Sequence, residues 1–295
     1  MKVESAVERD LRSIFADAGA EGFLHAREID GDAQVGIDAD ELVVTASVFK
    51  VPVLVECARQ AAAGERSWTD RIRVTAEDRV LGPTGLSVMF DDVDLSLRDL
   101  AYLMMSVSDN TATDVIMRLV GLDPINATLA ELGLENTRVE GDCRELLGTF
   151  EEDVGFGRAD MPLSKMDPDA LRRWRALDPE RTTRTTPREM TALLTKIWRD
   201  DAAPAAACAE IRRIMALQVW PHRLTSGFPS GVTLAAKTGT LPGLRNEAGV
   251  VTYADGSRYA VAVFTRAHTF VDRQPEIDAS IGTAAFTAIE SLRAG

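Results

Sequence analysis

Cysteine is scarce in this chain. Cys57, Cys143 and Cys208 are the whole complement in 295 residues, too few and too scattered for a disulfide framework or a zinc site. Basic residues are outnumbered, 33 Lys and Arg against 46 Asp and Glu, so the formal net charge is −13. Phosphate-rich partners are repelled on average by such a chain, which argues against a general nucleic-acid binder or a binder of anionic membranes. Long apolar runs are also missing, and nothing approaches the roughly 18–20 residues needed to cross a bilayer. The first ten residues carry Glu4, Glu8 and Asp10 where a signal peptide would need its apolar stretch. The expectation is a reduced cytoplasmic protein, or a secreted one if a leader has been removed. What remains is ordinary globular composition, 45% hydrophobic and 27% charged, with length enough for one large domain or two modest lobes.

Apolar positions at Val7, Leu11, Ile14 and Phe15 predict a helix over 5–18. Strand-like segments follow at 22–29 and 34–37, with Asp30-Gly31-Asp32 as the turn. The stretch 47–60 is apolar almost all round and predicts a helix in the middle of a domain, with Pro52 in its first turn. Helices are expected near 97–106, 111–120, 124–132 and 187–199, strands at 232–237, 248–253 and 259–266, and a closing helix at 278–293. Strands at both chain ends with helices between predict one antiparallel sheet beside an inserted helical lobe, with a site in the cleft. The division is 1–46 with 208–295 for the α/β sheet lobe and 47–207 for the helical lobe.

Three short motifs occur in order: Ser47-Val48-Phe49-Lys50 at the start of the buried helix, Ser108-Asp109-Asn110 between two helices, and Lys237-Thr238-Gly239 at a strand end. Alone, each has a bland explanation as chance, turn or strand end. A serine hydroxyl is a poor nucleophile until a base takes its proton, and residues i and i+3 of a helix share a face, so Lys50 points the same way as Ser47. A lysine among apolar residues and beside a second lysine has reason to give up its proton.

Together the motifs resemble the penicillin-recognising serine enzymes, the class A β-lactamases and penicillin-binding proteins. Leu97-Arg98-Asp99-Leu100, Asn110 to Asp114, Leu132-Gly133-Leu134 with Thr137-Arg138, and Thr185-Thr186-Pro187 extend the likeness over most of the chain, weakest across 140–184. The resemblance implies the α/β plus all-α serine β-lactamase fold and an acyl-enzyme on Ser47. It implies Lys50 as base, Ser108 as the proton shuttle to the leaving nitrogen, and Lys237 tuning Ser108 electrostatically. Asn110 would hold the substrate amide carbonyl and Thr238 its carboxylate, with the N–H groups of Ser47 and Thr240 as oxyanion hole. Arg223, fourteen residues before Lys237, stands where some class A enzymes place an arginine for that carboxylate, with a solvated surface arginine as the equal alternative. Arg245 is a weaker candidate. His25, His222 and His268 fit no Ser-His-Asp triad and read as surface or satisfied residues.

One departure stands out. Class A enzymes clear the acyl group with a loop glutamate in an E-x-x-L-N segment, which this chain lacks. Ungapped counting from Thr137-Arg138 puts Cys143 at that glutamate and Leu147 at the asparagine, leaving Asp142, Cys143 and Glu145 as candidates for a deacylation role. The stretch 139–184 reads as an extended loop over the site, longer than usual by about two dozen residues. It contains Phe150-Glu151-Glu152-Asp153 and Ala170 to Trp174, a short helix and a lid, or else a solvated insertion. The first functional reading is therefore β-lactam amide hydrolysis. An esterase, amidase or acyltransferase on the same scaffold, in metabolite biosynthesis, and a slow-deacylating β-lactam-binding sensor stay open beside it. The chemistry needs no cofactor or metal, and the expected partner is a small-molecule β-lactam or other activated amide or ester, taken by a monomer.

Overall fold

The computed structural model describes residues 4–155 and 162–294. The first helix, α1 (Ala6–Asp17), starts at a capping box in which Ser5 accepts from Glu8 N and the Glu8 carboxylate accepts from Ser5 N. The strands β1 (Ala20–Glu28) and β2 (Gln34–Ile37) follow, then the short β3 (Val43–Val44), a 3-10 turn at Ala46–Phe49 and α2 (Lys50–Ala62). A small ribbon of β4 (Arg71–Val74) and β5 (Val93–Ser96) precedes α3 (Leu97–Ser106), α4 (Asn110–Val120), α5 (Leu122–Glu131), α6 (Cys143–Val154) and α7 (Pro168–Arg173). The two-residue β6 (Arg184–Thr185) pairs with β3, and α8 (Pro187–Trp198) and α9 (Ala205–Met215) lead to β7 (Thr233–Leu241), β8 (Leu244–Thr252), β9 (Arg258–Ala267) and α10 (Pro275–Arg293).

The main sheet is antiparallel, with order β2-β1-β9-β8-β7, so the two ends of the chain share it. Strand β1 pairs with β9 from Ala20 opposite Ala267 to Glu28 opposite Tyr259. Both faces of β9 are covered, which is why it reads as a continuous apolar run. Its alternate residues Tyr259, Val261 and Val263 pack with Leu11 and Phe15 of α1 and Ile281, Ala285 and Ile289 of α10. The intervening Ala260, Ala262 and Phe264 join the larger core of α2, α3, α4, α8 and α9. This is the predicted fold class, an α/β sheet lobe beside helices.

The structure corrects some boundaries. The division expected at 207/208 falls inside α9, and α9 packs against α2 and α3, on the helical side. The strands expected at 232–237 and 248–253 run on through the polar segment between them, to a tight turn with Gly243 at φ 72°. The extended loop expected at 139–184 contains α6 and α7 with a small core of their own. Trp174 is fully buried, edge-on to Phe150 at 5.0 Å between ring centroids, with its Nε1–H donated to Thr149 Oγ1. Leu241 and Leu244 at the end of the β7–β8 hairpin complete this core, so the described part of the segment is a packed layer. Within the expected loop, 156–161 lie outside the described residues.

Candidate active site

Ser47 stands on the 3-10 turn before α2, where residues three apart eclipse one another, so it and Lys50 lie on one side. The preceding Ala46 is held at φ 45°, a left-handed conformation that costs a side-chain-bearing residue energy and persists only where the surroundings enforce it. Those surroundings are visible. Asn246 of β8 donates its Nδ2 to Val44 O at 2.9 Å and Thr45 O at 3.3 Å, and Thr45 N donates to Thr183 O. Gly239 of β7 presses on the same turn, and a Cβ there would lie 2.6 Å from Thr45 O.

Lys50 is fully buried, and its Nζ contacts Ser108 O at 2.8 Å, Asn110 Oδ1 at 2.9 Å and Ser108 Oγ at 3.3 Å. Burial holds its pKa below the ordinary lysine range, opposed by Cys143, Asp109 and Asp114. Ser108 is itself left-handed, at φ 62°. It is held there by Asp109, whose carboxylate caps α4 at Ala112 N and accepts from Leu86 N at 2.5 Å. Asn110 also donates Nδ2 to Leu81 O. The two left-handed residues thus bring the Ser47 and Ser108 segments to one lysine.

Lys237 is fully buried and donates to Thr238 O at 2.8 Å. Burial, then Lys50, push its ammonium well below the usual lysine range. Strand β7 is an edge, and the N–H of Thr238 points off that edge to Gln218 Oε1 at 2.7 Å. Strand period two then aims the Thr240 N–H out of the same edge, where an oxyanion donor would have to be.

These groups surround a cavity of about 640 Å³. Ser47, Ser108, Asn110, Thr238 and Thr240 line it, and Lys50 and Lys237 lie behind its wall. Across from them Cys143, Leu146 and Leu147 of α6 form an apolar wall, and among the described lining residues there is no Asp or Glu. This corrects the deacylation candidates. Asp142 caps α6, accepting from Glu145 N at 2.8 Å, while the Glu145 carboxylate accepts from Asp142 N at 3.1 Å. Both carboxylates are spent in a capping box and neither lines the cavity. Cys143 does line it, but burial drives its thiol pKa up, so it is no thiolate nucleophile. Behind it, Asp114 accepts from Cys143 N and Arg144 N and fixes the start of α6.

Arg223 is not a solvated surface arginine; it is buried and lines the cavity. It is 3% exposed, with Nε on Asp278 Oδ1 at 2.6 Å, NH1 on Gly239 O and Asn246 O, and NH2 on Thr240 Oγ1 at 2.8 Å. Arg245, also buried, donates to Leu241 O and Leu244 O and stands 3.8 Å from the same Asp278 oxygen.

A family model described as "Beta-lactamase enzyme family" matches residues 6–292. The chain belongs to the beta-lactamase enzyme family. Within it, a relative from Streptomyces cacaoi named "Beta-lactamase regulatory protein BlaB" is 32% identical, covering 97% of both chains. The solved beta-lactamase of Sphaerobacter thermophilus DSM 20745 superposes with TM-score 0.80 at 26% identity, over 100% of this chain and 99% of that one. A beta-lactamase from Chitinophaga pinensis DSM 2588 shares the fold, with TM-score 0.78 at 20% identity over 97% and 98% of the two chains.

Several residues of this beta-lactamase-family site escaped the sequence. Asn246 and Glu247 lie opposite Gly239 and Thr238 on β8, and Gln218, from the segment after α9, links Thr238 N to the buried Glu247. His222, expected at the surface or satisfied, lines the cavity with Trp220 edge-on to it at 6.1 Å. His25 is indeed satisfied, between Thr191 and Gln34. No signal short of the fold finds His222, because its partner Asp278 is 56 residues away on α10.

Proposed function

We propose that the chain is a serine acyl-enzyme that takes a β-lactam onto Ser47 and then holds it, a β-lactam-responsive protein with slow deacylation. The carrying observation is the wall of Cys143, Leu146 and Leu147, with no carboxylate among the described residues that line the cavity to activate water there. Ser47 gives its proton to Lys50, whose burial favours the neutral amine, and attacks the lactam carbonyl. The oxyanion meets the N–H groups of Ser47 and Thr240. Ser108, in contact with Lys50 through Oγ, passes the proton on to the departing nitrogen, and Asn110 holds the amide carbonyl of the acyl side chain. The Streptomyces relative, named for a regulatory role, is consistent with a protein whose output is the acylated state.

A turnover enzyme, with Lys50 as base in both steps, is the second reading, favoured by the family itself. The test is intact-protein mass spectrometry with benzylpenicillin, followed by peptide mapping. A single adduct on the Ser47 peptide, absent in Ser47→Ala, is expected. Absence of any adduct, with simple esters turned over instead, contradicts β-lactam recognition and leaves an esterase or transferase.

A further inference from the structure

Holding the site's wall and capturing a substrate anion are separate tasks, and Arg223 is committed to the first. Its guanidinium makes four hydrogen bonds inside the protein, one of them an ion pair with Asp278 at 2.6 Å. A group so engaged shapes the wall but has little left with which to capture an anion. Its bond to Thr240 Oγ1 makes that oxygen an acceptor and so leaves the Thr240 hydroxyl hydrogen to be donated elsewhere. Beside it, His222 is half-exposed, lines the same cavity as Thr238 and Thr240, and is steadied by the edge of Trp220. Its Nε2 lies 4.0 Å from Asp278 Oδ1, the oxygen that also takes Arg223 and faces Arg245.

We propose that His222, with the hydroxyls of Thr238 and Thr240, receives the anionic group of the substrate, and that Asp278 sets this specificity by holding Arg223 back as a positioning residue. The inference rests on a carboxylate-bearing acyl donor such as a β-lactam being the ligand of this cavity. Burial, then the charges of Arg223 and Arg245 against that of Asp278, leave the imidazole pKa below the ordinary histidine value. The free site therefore holds a neutral imidazole near neutral pH, and a bound carboxylate draws a proton onto it. Binding of the acid tightens as the pH falls through this ionisation, whereas a neutral ligand is indifferent to it.

The experiment uses the full chain carrying Ser47→Ala, so that binding is read without acylation. Benzylpenicillin and its methyl ester are compared by calorimetry across pH 5–8. The proposal predicts that the acid binds more tightly than the ester and that the difference grows on acidification. Adding His222→Ala weakens the acid by about tenfold and leaves the ester unchanged. Asp278→Asn, which keeps an acceptor for Arg223 Nε but removes the negative charge, strengthens the acid alone. Equal weakening of both ligands in His222→Ala, no gain in Asp278→Asn, or binding of neither ligand by the parent overturns the assignment. Preferential binding of the acid in Ser47→Ala, with no adduct on the unmutated protein, would instead refute the acyl-enzyme reading and leave His222 in place.

Discussion

Two residues at the site, Ala46 and Ser108, sit in a backbone conformation that L-residues avoid, and each is pinned by contacts made far away in sequence. Neither Asn246 nor Gly239 carries chemistry of its own, yet together they hold the turn that presents Ser47. The glycine of the Lys-Thr-Gly motif thus has a steric reason: any side chain there meets Thr45 O. Gly239→Ala is expected to slow acylation of Ser47 by about 100-fold, because a displacement near 1 Å is enough to spoil attack geometry, while circular dichroism stays unchanged. An acylation rate equal to that of the unmutated protein would show that the turn does not need the close approach. At this scale the motifs Ser47 to Lys50, Ser108 to Asn110 and Lys237 to Gly239 were legible, since each compresses its chemistry into three or four neighbours. The residues that support them were not, because a hydrogen bond from Asn246 to Val44 leaves no local pattern.

In the proposed mechanism, helix α6 governs the fate of the acyl group. Its capping box takes Asp142 and Glu145 out of play, and its first turns present Cys143, Leu146 and Leu147 to the cavity. Cys143→Glu should shorten the lifetime of a penicillin adduct by about 100-fold, the usual scale for adding a positioned general base. An unchanged lifetime, read by mass spectrometry, would mean that the wall is not what limits deacylation. The same helix is tied to α4 by Asp114, whose pKa burial pushes up to about 6 from 3.8. The folded protein then holds a proton that the unfolded chain releases, so stability falls as pH rises between about 4 and 6, by about 2–3 kcal/mol. Denaturant titrations of Asp114→Asn should lack this part of the slope; an identical slope would remove Asp114 as its source. The apolar spacing of α3, α4, α5 and α8 is strong, and their expected positions agree with the structure within a few residues. Helix α9 was missed because its alanine-rich opening gives little periodicity. The expected end of β7 fell at the polar Lys-Thr-Gly segment because a free edge needs no continuous apolar face.

On the scale of the molecule, the sheet draws strands from both chain ends and sets the edge of β7 against the helical core, with the cavity where they meet. Among the described residues no helix is long and apolar enough to cross a membrane, and no cluster of His, Cys, Asp or Glu is arranged to hold a metal. The layout was readable from the order of strand-like and helical segments, whereas the packed layer of α6 and α7 was not, because its core is completed by Val44, Ala46, Leu241 and Leu244 from distant segments. In the proposed function acylation outruns deacylation. The most direct measurement is rapid-mixing spectroscopy of a chromogenic cephalosporin at several protein concentrations. A burst equal to one chromophore per protein, then a near-flat trace, with both abolished in Ser47→Ala, is the predicted result. Linear release of many equivalents without a plateau would contradict it and make the protein a turnover β-lactamase.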